Sequence, residues 1–199
     1  MVRVLGLGGS LRQVSRSKVI LEAALAAATA AGAETALWAV DEEPLPFYRP
    51  QEPIEPSTER FLKAVREADA YIVSTPAYHG TVSAPVKNLI DHIDALAGDT
   101  PPFLTGKVVG VASIGEGTVA SVQAVGALVQ AAHALRAFVV PLHVPVSGAS
   151  QVIPTDRIQD PSVVSRLVSL GRLVVATSEA LGSPGQPRPP DATATSRNA

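Results

Sequence analysis

Cysteine is absent from the 199 residues, and that absence removes several chemistries at once. Disulfides, thiolate nucleophiles, thiolate-held iron–sulfur clusters and cysteine-ligated zinc all need a thiol that the chain lacks. The lack is compatible with a reducing cytosol. Charge is scarce as well: Asp, Glu, Lys and Arg make up 17% of residues and leave a formal net charge of -2. No basic field is offered to nucleic acid or to an anionic membrane surface. Long apolar runs are also missing, since no stretch approaches the roughly 18 to 20 unbroken apolar residues of a membrane helix. The opening MVRVLGLGGS is too short in apolar residues for a signal-peptide core and reads as a first strand.

Some familiar motifs fail too. GLGGS does not extend to G-x-G-x-x-G, because Leu11 stands where a third glycine is required, and no Walker lysine follows it. No G-x-S-x-G elbow is present for a nucleophilic serine. The histidines His79, His92, His133 and His143 fall in separate segments or on different faces, so no metal site is expected.

What is present is a globular composition, 46% hydrophobic, in a chain long enough for one full core and too short for two large domains. Short apolar strands are expected at 2–7, 33–40, 69–75, 108–113 and 137–142. Helices are expected at 17–31, from a Ser57 cap to Glu67, from Val82 through Leu96, at 119–135, and from an Asp160 cap to Ala180. Gly32 is placed to end the first helix. Five prolines between Pro44 and Pro56 make that segment a loop, as 145–154 is also expected to be. Five β–α repeats with continuous apolar strands predict a three-layer, doubly wound α/β domain over 1–180, with a parallel sheet covered by helices on both faces. Residues 181–199 have no core-forming pattern and are expected to be a disordered tail.

In such a sheet every strand-to-helix loop lies at the carboxyl edge, where ligands bind. Three exits share that rim. The first, GLGGSLRQVSRS, offers backbone N–H groups, the hydroxyls of Ser10, Ser15 and Ser17, and Arg12 and Arg16 at a helix start. That is the donor set a phosphate needs, although a glycine-rich turn capped by Ser15 or Ser17 would look the same. The second, STPAYHG, stiffens the chain at Pro76 and sets Ala77, Tyr78, His79 and Gly80 beside a flat object. Tyr78 either walls a planar ring or covers its own loop. His79 is a loop residue, a subunit contact or a ring contact. The third carries Ser113, Gly115, Glu116 and Gly117, whose backbone reaches a ring's polar edge or makes only a tight connection. A phosphate on the first loop and an isoalloxazine on the second describe FMN.

The segments GSLRQVSRS and PAYHGTVSAPVKNLID carry a family resemblance. They resemble the G-S-x-R-x-x-S loop and the P-x-Y-N-x-S-x-P-x-x-K-N-x-I-D run of the NADPH-dependent FMN reductase family. Gly9, Ser10, Arg12 and Ser15 match the first, and Pro76, Tyr78, Pro85, Lys87, Asn88, Ile90 and Asp91 the second. His79 departs from a common asparagine, and Thr81 takes the place of a serine. The resemblance implies a flavodoxin-like fold with strand order 2-1-3-4-5. It implies FMN held by Ser10, Arg12, Ser15 and Ser17 at its phosphate and by residues 76–80 at its ring, with Ser113 and Gly115 to Gly117 on the pyrimidine side. It also implies a hydride donor, NADPH or NADH, a small-molecule acceptor, and a cytoplasmic homodimer or homotetramer. The expected activity is NAD(P)H-dependent flavin reduction, with a two-component monooxygenase as a partner supplied with reduced flavin. The alternatives are reduction of quinones or azo compounds by a tightly bound FMN, and a non-enzymatic electron carrier. No side chain is assigned a catalytic proton.

Overall fold

The computed structural model describes residues 1–12 and 14–182. Its strands are β1 (Arg3–Gly8), β2 (Glu34–Ala39), β3 (Ala70–Pro76), β4 (Val108–Ile114) and β5 (Phe138–Val146). They form one parallel sheet in the order β2-β1-β3-β4-β5. The helices are α1 (Arg16–Ala30), α2 (Pro56–Glu67), α3 (Ala84–His92), α4 (Thr118–Ala134), α5 (Ala149–Val152) and α6 (Pro161–Leu181), with a 3-10 turn over Ile93–Leu96. The expected α/β, doubly wound, flavodoxin-like order is the order observed.

The period-two alternation of side chains along the strands divides the core between two faces. Val4 of β1 with Ala70 and Ile72 of β3 packs under α1 and α6, against Ile20, Ala24, Leu167 and Leu170. Leu5, Leu7, Tyr71 and Val73 point the other way, against Phe61 of α2, Leu89 of α3 and Leu128 of α4. Central strands β3 and β4 are buried along their whole length, which is why they read as unbroken apolar runs.

Some boundaries differ from the sequence expectation. Helix α2 begins at Pro56 with Glu55 as its N-cap, rather than at a Ser57 cap, because proline's fixed φ suits the first helical turn. Helix α3 begins at Ala84 after Ser83 rather than at Val82, again with proline in its first turn. Strand β5 runs on to Val146 through Pro141 and Pro145. Both prolines are tolerated because β5 is a sheet edge, where an N–H can be missing without breaking the ladder. Arg166 of α6 donates to the carbonyls of His143 and Pro145 at 3.2 and 3.4 Å. Part of the expected loop 145–154 forms the short helix α5. Of the expected tail, 181–182 finish α6, and 183–199 lie outside the described residues.

Candidate active site

The β1 exit cannot be built without glycine at its first two positions. Gly8 has φ +150, and a Cβ there would lie 2.1 Å from the Ser74 carbonyl oxygen; Gly9 has φ +102. Both conformations are costly for a side chain. The chain then passes three buried hydroxyls, those of Ser10, Ser15 and Ser17. Ser10 Oγ donates to Ser15 Oγ at 3.1 Å, and Ser15 and Ser17 share a bond of 3.2 Å. Ser15 is also the N-cap of α1, accepting from the Lys18 N–H at 3.2 Å. Ser74 fixes the far side by donating to the Ser17 carbonyl at 2.9 Å. No acidic residue stands in the first turn of α1, so the positive helix end is left uncompensated toward an anion. Lys18, on the same turn, pairs with Asp41 at 3.8 Å and with Glu42. The hydrogen bond to Glu42 raises the lysine's pKa.

The β3 exit turns by a different device. Tyr78 and Thr81 exchange backbone hydrogen bonds of 3.2 and 3.1 Å, and between them His79 and Gly80 have φ +50 and +77. Two positive φ values in a two-residue connection make a type I′ turn, which favours Asn-Gly and disfavours β-branched residues. The histidine therefore occupies a left-handed position for which asparagine is also suited. Its side chain is exposed. Upstream, Ala77 donates to the Ile114 carbonyl at 2.8 Å, tying this exit to the exit of β4.

The loops meet in a groove of about 270 Å³. Ser10, Arg12 and Ser17 line one end, and Pro76, Ala77 and Tyr78 one wall. Gly115, Glu116 and Gly117 line the other wall. The Arg12 guanidinium lies 5.9 Å from the centre of the Tyr78 ring, joining the two ends. Ser15 stands behind the groove, bridging two hydroxyls that line it. His79, Gly80 and Ser113 are not among its lining residues. Ser113 is fully buried and donates to the Ser121 carbonyl at 2.7 Å. Sequence reasoning missed Val14, Ile114, Ala120 and Ala149 as lining residues. Ala149 could have been found, because the β5 exit lies on the same edge as the others.

Groove and donors fit a flat ring carrying a phosphate. The buried hydroxyls and helix end suit the anion, and proline, alanine and tyrosine present an apolar wall. A larger hollow of about 470 Å³ lies under the proline-rich segment, but the polar groups beside it are engaged with one another. Tyr48 Oη donates to Asp94 at 2.6 Å, and His92 Nε2 lies 2.9 Å from the Pro46 carbonyl. The Asp94 bond pushes the Tyr48 pKa up to about 12. Asn88 ties the segment to α3, donating to Pro46 O at 2.8 Å and accepting from the Tyr48 N–H at 2.9 Å. Among the described residues no helix is long and apolar enough to cross a membrane.

Comparison with known proteins agrees with this geometry. Residues 2–151 match the family described as NADPH-dependent FMN reductase. An NAD(P)H:quinone oxidoreductase from Solanum tuberosum is 33% identical over 95 residues, covering 46% of this chain and 49% of that protein. The chain thus spans about half the length of the curated relative it matches. Many solved structures share the fold, RosB and FerB among them. RosB with a bound 8-demethyl-8-formylriboflavin-5'-phosphate intermediate superposes with a TM-score of 0.76 at 17% identity, over 91% of this chain and 80% of RosB. FerB, an NAD(P)H:acceptor oxidoreductase from Paracoccus denitrificans, gives 0.73 at 18% identity, over 92% of this chain and 100% of FerB.

Proposed function

Because this chain belongs to the NADPH-dependent FMN reductase family, we propose that its groove holds FMN and that it reduces this flavin with NAD(P)H. The observation that carries the reading is the buried Ser10–Ser15–Ser17 hydroxyl chain at the uncompensated end of α1, facing the Pro76-Ala77-Tyr78 wall across one groove. Bound FMN supplies the ring that accepts hydride from a nicotinamide and passes two electrons onward. The chain's own residues position it. Ser10, Ser17 and Arg12 hold the phosphate, with Ser15 orienting the two serines. Pro76, Ala77 and Tyr78 cover a ring face, and the backbone at 115–117 meets the polar edge.

The domain on this reading is residues 1–180, working as a cytoplasmic homodimer or homotetramer, with a flavin-consuming monooxygenase as one possible recipient. A second reading gives the electrons to a quinone. The likeness to a quinone oxidoreductase supports it, as does the solvent-exposed apolar side chain of Val14 lining the groove.

Anaerobic NADPH oxidation with free FMN as the sole added acceptor tests the proposal. Stoichiometric bleaching of FMN by catalytic protein supports flavin reduction. Folded protein that bleaches neither free FMN nor a quinone overturns both readings. Light scattering reports the subunit number.

A further inference from the structure

We infer that the β5 exit, residues 147–153, is a fourth wall of the flavin groove and that Glu116 is the latch holding it shut. The inference rests on the flavin-binding reading of the groove. Glu116 lines the groove, yet its carboxylate is committed elsewhere. It accepts from the Ser150 N–H at 3.1 Å through one oxygen and from the Ser150 hydroxyl at 3.1 Å through the other. Its carbonyl accepts from the Gly148 N–H at 3.1 Å, and the Gly115 carbonyl accepts from Ala149 at 3.2 Å. The two exits are thereby joined side by side, and Ala149, from the latched segment, lines the groove.

The other end of the segment is tied down as well. Arg16 Nε donates to the Ile153 carbonyl at 2.7 Å, across 137 residues of sequence, and the Ile153 side chain is fully buried. Arg16 also lines the groove and stands at the start of α1. The segment is therefore suspended between the phosphate end of the groove and the wall at 115–117. Its one left-handed residue is Gly148, φ +66, which supplies the bend that brings Ser150 under the carboxylate.

A carboxylate pointing into a site that also holds a phosphate would repel it. Two hydrogen bonds turn this one toward Ser150, so that its charge orders a wall. Glu116 is thus a positioning residue that acts on flavin through Ser150. Charge-assisted bonds of this kind are strong enough for their loss to weaken binding by about tenfold.

Glu116→Ala and Glu116→Gln separate the roles, since glutamine keeps an oxygen able to accept from Ser150 while losing the charge. Glu116 is exposed, so both variants are expected to fold. Hydrogen–deuterium exchange is measured on protein without FMN, and FMN dissociation and flavin reduction potential on the loaded protein. The latch requires faster exchange at 148–153 in Glu116→Ala and an FMN off-rate raised about tenfold. Glu116→Gln should keep both within about threefold of wild type, with an unchanged potential. A glutamine variant as impaired as alanine, with a shifted potential, would show the charge acting on the flavin directly and overturn the inference. Faster exchange with an unchanged off-rate would overturn the wall. Failure of wild-type protein to bind FMN overturns the flavin reading itself and the wall with it. The exchange data distinguish that case, because they report the latch without any flavin.

Discussion

Replacing Gly171 with alanine tests whether the crossing of α1 and α6 sets the position of the proposed phosphate cradle. Gly171 lies inside α6, where a Cβ would sit 2.2 Å from the Ala24 carbonyl oxygen, 2.9 Å from Ala28 N and 3.0 Å from Ala27 Cβ. The obstacle is largely backbone of α1, which cannot swing aside as a side chain would. Restoring an ordinary carbon–oxygen separation requires the helices to part by about 1 Å. Overpacking costs about 1 to 3 kcal/mol, and a backbone obstacle puts this site at the upper end. The better helix propensity of alanine offsets about 1 kcal/mol, leaving a net loss of about 2 kcal/mol. In a chain of this size that lowers Tm by about 4 to 8 °C. Gly126 inside α4 is the matched control, because nothing lies within 4 Å of its hypothetical Cβ. Gly126→Ala therefore retains the propensity gain alone, and Tm should rise by about 2 to 4 °C. The functional consequence follows from α1 itself: a shift of that helix carries Ser15 and Ser17 with it, and FMN affinity should fall by about tenfold. Thermal melts and FMN titration of both variants provide the readout. A Gly171→Ala protein that melts at or above wild type, with unchanged FMN affinity, would refute the reasoning.

Other substitutions probe the site at single points. Ser15→Asp keeps an N-cap acceptor for Lys18 but sets a carboxylate beside the phosphate cradle; Tm should stay within about 2 °C while FMN affinity falls more than about tenfold by titration. His79→Asn should be neutral in stability and flavin affinity, because the turn asks only for a tolerated left-handed backbone, whereas His79→Val should cost about 1 to 2 kcal/mol in denaturant unfolding. Lys107 donates to the Val65 and Arg66 carbonyls, each at 2.8 Å, and burial pushes its pKa down to about 8, against the opposing pull of Asp69 and Asp99. Between that value and the ordinary lysine range the unfolded chain binds more protons than the folded one, so this group's contribution to stability rises with pH. The stability of wild type relative to Lys107→Met should accordingly rise from pH 8 to 10 in parallel urea titrations; a flat or falling difference would contradict the assignment.

The sequence by itself determined the layer architecture and the edge at which to look. Alternating apolar strands and helices of this length bury their faces in only a few ways, and in a parallel sheet all strand exits collect on one side. Gly8, Gly9, Pro76 and Gly80 mark the exits because their backbone requirements are local and so are written locally. The serine cluster was legible for the same reason, since Ser15 and Ser17 stand within one turn of the start of α1 and Ser10 in the short loop that leads to it. The strand order came from resemblance, not from the element pattern, because pairing partners are far apart in the chain. Tertiary structure alone decided where side chains spend their hydrogen bonds. Ser113 could equally have faced the groove until Ser121 O took its hydroxyl. Glu116 lines the groove, yet its carboxylate is taken by Ser150, 34 residues later. Pro145 read as the start of a loop because only the sheet shows that β5 is an edge. In each case the deciding partner lies on another element, and its distance and direction exist only once both elements have packed on the same sheet.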